Sequence, residues 1–162
     1  MLPSIRTVLL RDLGTVRAEL ELYENEADLW KEVPGQGTCG GTLALHLAGN
    51  LQHFIGAVLG GTGYVRDRDA EFSRRGVARA ELLKELLHTE AVVDQTLASL
   101  TEDSVQPLFP VPFGDRVVGT EVFLIHLCAH LGYHLGQLDY HRRAATGSTA
   151  SAKAQSVPAL AR

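Results

Sequence analysis

The chain has 162 residues, 45% hydrophobic and 21% charged, the balance of a single folded domain rather than a disordered or fibrous chain. A formal net charge of −4 and the absence of a basic stripe argue against nucleic-acid binding, because the arginines between Arg66 and Arg79 are interleaved with Asp67, Asp69 and Glu71. Two cysteines, Cys39 and Cys128, are too few for a secreted disulfide framework, and Arg6, Arg11 and Asp12 break the apolar start that a signal peptide needs, so a cytoplasmic protein is expected.

Ile5, Val8, Leu9, Leu13, Val16, Leu20 and Tyr23 recur at helical spacing and predict a first helix over 4–24. Glycines and Pro34 then mark a long loop. The stretch 33–65 carries no Asp, Glu, Lys or Arg, yet its glycines and His46, Asn50, Gln52 and His53 would be costly in lipid, so its second half reads as a buried helix and not a membrane span. That second helix is expected over 42–59, with Thr42 as N-cap and Gly60-Gly61 as its stop.

Leu82, Leu86, Val93, Leu97 and Leu100 predict a third helix over 77–100. The proline-bearing segment 105–118, with a Phe113-Gly114-Asp115 turn between valines, predicts a short hairpin or extended loop. A fourth helix follows over 120–144, and 147–162 reads by composition as a disordered tail beyond a domain spanning 1–146. Four long helices without a sheet define an all-α, four-helix bundle.

On the fourth helix Leu124, Leu127, Leu131, Leu135 and Leu138 form one stripe, and His126, His130, His134, Gln137 and His141 form the next. Imidazoles four residues apart share a helix face and can share a metal ion. His126 and His134, separated by roughly 12 Å of helical rise, cannot both reach one ion from a straight helix. A further ligand must come from elsewhere, and the second helix offers His46, Asn50 and His53 on one polar stripe. Spacing alone chooses neither between His126/His130 and His130/His134 nor between His46 and His53.

The segments Leu43-Ala44-Leu45-His46-Leu47-Ala48 and His126-Leu127-Cys128-Ala129-His130-Leu131-Gly132-Tyr133-His134-Leu135-Gly136-Gln137 resemble the DinB/YfiT-like superfamily of four-helix-bundle metalloproteins, over about residues 4–144. The resemblance implies one divalent transition metal (Zn, Ni, Fe or Mn) held by His46, His130 and His134. It leaves His126 and His53 outside the ligand set, with Asn50, His53, His126 and Gln137 as candidates for the surrounding shell. His88 and His141 read as surface or packing histidines, and Trp30, Tyr133 and Phe54 as core or cavity wall. The chain departs from the family at Thr38-Cys39-Gly40-Gly41-Thr42, where members often carry Trp-Ser.

Three neutral histidines leave open positions on an ion, the arrangement of catalytic metal sites. The resemblance therefore implies a metal-dependent enzyme acting on a small-molecule substrate, either a thiol transferase using a low-molecular-weight thiol cosubstrate or a hydrolase. The alternative is a non-catalytic metal-binding or stress-associated helical dimer. No HExxH motif is present, and the nearest acid along the fourth helix, Glu121, lies roughly two to four turns from the His130/His134 pair, so thiol transfer is favoured over hydrolysis. Cys128, Gly132 and Gly136 form a small-residue stripe suited to close approach of another helix, within the chain or across a homodimer.

Overall fold

The computed structural model describes residues 1–154 and 156–160. It is an all-α bundle of four long helices and one short one: α1 (Leu2–Glu21), α2 (Gly40–Leu51, continued without a break as a π-helix over Gln52–Leu59), α3 (Arg68–Ser73), α4 (Arg79–Ser99) and α5 (Thr120–Thr146). No sheet forms among the described residues. The segment before α5 makes only two isolated antiparallel bridges, Leu108 to Gly119 and Phe113 to Arg116, and its tip turns at Gly114 with φ +63°. The extended-loop expectation there holds, with too few bridges for a ladder.

The apolar stripes read from the sequence point inward. Leu9, Leu13, Val16 and Leu20 of α1 meet Leu82, Leu86 and Val93 of α4 and Leu124, Leu127, Leu131, Leu135 and Leu138 of α5 in one core, all essentially without exposure. Each such side chain contributes about 1.5–3 kcal/mol on burial, which is what holds the helices together against their low intrinsic stability. Residues 40–52 are buried throughout, the physical reason for their lack of charge. No helix among the described residues is long and apolar enough to cross a membrane.

Two start signals differ from the sequence expectation. Helix α2 begins at Gly40 with Cys39 as its N-cap, not at Thr42, which lies inside the first turn with its hydroxyl 3.2 Å from Cys39 Sγ. Helix α3 is not among the helices expected from the sequence. Asp67 starts it by accepting a hydrogen bond from Ala70 N (2.9 Å). At the other end, Gly147 closes α5 in the left-handed conformation (φ 73°), and the segment beyond it returns toward α1. There Arg142 donates to the Ala150 carbonyl and Ala152 N donates to Glu19.

Candidate metal centre

Three helices build one polar point in this core. His46 comes from the middle of α2, whereas His130 and His134 lie one turn apart on α5, facing it. His46 Nε2 is 3.3 Å from His130 Nε2, which in turn is 3.1 Å from His134 Nε2. One nitrogen from each of the three rings lies within 4.8 Å of both others. A tetrahedral zinc with Zn–N bonds of about 2.0–2.1 Å sets its nitrogens roughly 3.3–3.4 Å apart, so the spacing fits a divalent ion.

The opposite nitrogens of two of the three rings explain why those two face inward. His134 Nδ1 lies 2.6 Å from Gln137 Oε1, while the Gln137 amide nitrogen donates to the Tyr133 hydroxyl (3.2 Å). Since the amide oxygen can only accept, His134 carries its proton on Nδ1 and its Nε2 presents a lone pair. His46 Nδ1 lies 3.0 Å from Glu71 Oε2, and the carboxylate imposes the same tautomer. His130 Nδ1 is buried with no partner, the single unsatisfied ring atom of the trio. The lone pairs of His46 and His134 thus face His130 Nε2 at 3.3 and 3.1 Å, and a cation placed among the three neutral rings would be bound by all three.

Burial lowers the pKa of His130 to about 4, helped by the neighbouring His134, His46 and His126 rings and by Arg66. Burial also lowers His134, against the hydrogen bond it donates to Gln137, which pulls it up. Both rings are therefore neutral at pH 7, the form that ligates.

Glu71 is the residue that sequence reasoning missed. The chain does place an acid beside a candidate ligand, contrary to the expected scarcity of carboxylates there, but it comes from α3. Arg66 grips it with two hydrogen bonds, Nε to Oε1 (2.6 Å) and Nη2 to Oε2 (2.7 Å). Burial pushes the Glu71 carboxyl up, yet the bonds from Arg66 and His46 outweigh it and hold the group below the ordinary carboxylate range. The neighbouring Phe72 ring packs 4.9 Å from the His46 ring. The signal available in the sequence was Asp67 as a helix cap four residues before Glu71.

The other candidates lie around this point. Asn50, one turn after His46, is buried with its side-chain oxygen unpartnered. His53 packs against Phe54 at 4.8 Å, with Nδ1 buried and unpartnered, and it is no part of the three-ring convergence. His126 is exposed, stacked on Phe123 at 5.8 Å, with its ring 6.0 Å from that of His130. Tyr133 is 66% exposed and stands on the rim, not in the core. His88 is exposed, whereas His141 is wholly buried at the far end of α5. Phe54, Phe109, Phe113 and Phe123 form an aromatic cluster with centroids 4.3–6.2 Å apart, adjoining His53 and His126.

A family profile described as Mycothiol-S-transferase matches residues 4–147. The chain belongs to that family. The match runs from the first turn of α1 to the cap of α5, so it includes all five helices and every residue of the histidine centre. It also places the chain in the DinB/YfiT-like superfamily. No curated protein and no solved structure matches the chain. Membership of the mycothiol-S-transferase family and a histidine centre able to coordinate a divalent metal together describe a metal-dependent enzyme family with a small-molecule thiol chemistry.

Proposed function

We propose that this chain is a metal-dependent S-transferase that joins the thiol of mycothiol to an electrophilic small molecule, with His46, His130 and His134 as the three protein ligands of one divalent ion. The observation that carries this reading is the convergence of three rings, with His130 Nε2 lying 3.3 Å from His46 Nε2 and 3.1 Å from His134 Nε2, and with the Nδ1 atoms of His46 and His134 turned outward onto Glu71 and Gln137. A divalent ion held there would supply Lewis acidity that lowers a thiol's pKa, making thiolate the available nucleophile at neutral pH. The chain's own groups do the rest. Glu71 and Gln137 keep the ring protons of His46 and His134 on the outer nitrogens, and burial keeps the His130 and His134 rings uncharged.

Hydrolysis fits less well. A hydrolase needs a free base for its water, and both oxygens of Glu71 are already engaged by Arg66 and His46. On the electrophile side, Phe54 and Phe113, the two rings of the aromatic cluster that are not fully buried, support a substrate with an apolar body. A homodimer is consistent with Val122, Ile125, Tyr133 and Tyr140, all more than half exposed on one face of α5.

The test is to purify the protein without a polyhistidine tag, determine bound metal, and assay conjugation of mycothiol, bacillithiol and glutathione to a panel of electrophiles. Turnover with mycothiol that is lost on chelation and restored by metal is the expected result. A fully metallated protein silent with all three thiols would overturn it.

A further inference from the structure

Helix α2 keeps a glycine where a helix interior would ordinarily gain from alanine. Gly49 sits three residues after His46, and a Cβ added there would lie 2.2 Å from Glu71 Oε1 and 2.8 Å from its carboxyl carbon. The side chain that needs this notch is the one that holds His46 Nδ1. Around it the fixings are complete. Arg66 pins both oxygens, Asp67 caps α3 so that Glu71 emerges on the inner side of its turn, and Phe72 lies against the face of His46. Glu71 itself is 6% exposed.

We propose that α3 is a clasp for the metal centre: Glu71, seated in the notch left by Gly49 and locked by Arg66, fixes the tautomer and orientation of His46 and so sets the affinity of the whole site. None of these three residues belongs to the converging set of His46, His130 and His134, so they are positioning residues, and the proposal rests on His46 being a ligand. The carboxylate can only accept, so the Nδ1 proton of His46 is committed to it and the Nε2 lone pair is committed to the centre. Without the clasp, His46 is free to take the other tautomer, which would aim an N–H at the two rings of α5. The clasp also explains an otherwise odd division of labour, in which His134 is oriented from its own helix by Gln137 whereas His46 needs a partner from a separate element.

The discriminating variants are Glu71→Ala, Glu71→Gln and Gly49→Ala. In metal-free protein, nitrogen NMR of the histidine rings should report His46 protonated on Nδ1, and Glu71→Ala and Gly49→Ala should both shift it toward the Nε2–H form. Chelator competition with Zn²⁺ should show about 10–100-fold weaker binding for Glu71→Ala, a similar loss for Gly49→Ala, and a smaller one for Glu71→Gln, whose amide oxygen still accepts. Gly49→Ala should lower the thermal midpoint of the metal-free protein, because its Cβ displaces the buried Glu71 carboxylate from Arg66. The His46 tautomer is the readout that a merely structural role would not move. Should Gly49→Ala fail to fold, the two Glu71 variants carry the test alone. Wild-type zinc affinity and an unaltered His46 tautomer in Glu71→Ala would overturn the clasp. His46→Ala separates the two readings: if it too binds zinc as the wild type does, the ligand assignment has failed; if it loses zinc while Glu71→Ala does not, the clasp alone has failed.

Discussion

Helix α5 carries two polar clusters a few turns apart, and they are built on opposite plans. Near its C-terminal end, His141 is wholly buried with both ring nitrogens used: Nε2 lies 2.9 Å from the Lys31 carbonyl and Nδ1 lies 2.7 Å from the Tyr23 hydroxyl. The carbonyl only accepts, so the proton sits on Nε2 and Tyr23 donates to Nδ1. Burial raises the pKa of Tyr23 and keeps it a donor. Beside it, buried Arg142 binds Glu19 (2.5 Å) and Asp139 (2.8 Å). Two turns back, His130 and His134 leave their inner nitrogens facing only each other and His46. The first cluster spends its lone pairs on the fold, whereas the second withholds them. The same residue type at the same helical spacing is a packing group or a ligand according to where its second nitrogen is spent.

The largest effects should come from breaking each cluster at its centre. His130→Ala should abolish stoichiometric metal binding, read by elemental analysis of untagged protein, while leaving the metal-free fold intact, because its Nδ1 has no partner and its Nε2 contacts only the other two rings of the centre. Retention of a full equivalent of metal would contradict the proposed ligand set. Arg142→Met should do the reverse. Removing one member of a buried ion pair costs about 3–5 kcal/mol, measurable by urea unfolding, and metal content should stay unchanged. Burial already pushes the Glu19 carboxyl up, and the bond from Arg142 offsets only part of that, so an unpaired Glu19 would take a proton in the variant.

How far this contrast was legible in the sequence differs from residue to residue. The leucine stripes at helical spacing were enough for the four long helices, and four-residue spacing was enough to nominate the histidines. Spacing could not choose between His126 and His134 as partner of His130, because that depends on which side of α5 faces α2, a tertiary fact. Glu71 was hidden for a different reason. Its run of alternating arginines and acids has no apolar period and reads as a solvated face, yet Arg66 and Glu71 neutralise each other so fully that the carboxylate goes into the core beside His46. Gly49 was equally silent, since its requirement lies in a neighbour twenty-two positions along the chain. Local patterns announce faces; paired charges and close contacts between separate elements do not.

A smaller effect concerns pH. The folded-state pKa of His130, about 4, lies below its unbound reference of 6.5, so between those values the unfolded chain binds more protons than the folded one. Stability of the metal-free protein should therefore be fully present above pH 6.5 and decline as pH falls toward 4. The ring is only half-buried and solvent screens it, so the decline should be shallower than the loss in Arg142→Met. Metal-loaded protein should hold its ion at His130 through most of that window and release it only as pH falls toward 4 and below, where the folded ring takes a proton and no longer ligates. His130→Ala should flatten the decline. An undiminished slope in that variant would assign it to other groups, such as His141, whose pKa burial also lowers.

The smallest expected effect is the most pointed test of which histidines form the centre. His126 continues the four-residue series of His130 and His134, and sequence spacing gives it equal standing as a ligand. In the structure it is exposed, lies stacked against Phe123, and has its ring 6.0 Å from that of His130 on the side away from His134. His126→Ala should leave stability within about 0.5 kcal/mol of the wild type, as for other surface substitutions without special partners. Metal affinity by chelator competition should be unchanged. If His126→Ala instead released the metal while His134→Ala retained it, the ion would be bound one turn nearer the N-terminus of α5. Gln137 would then have no ligand to orient, and the fit between its amide oxygen and His134 Nδ1 at 2.6 Å would be left without a purpose.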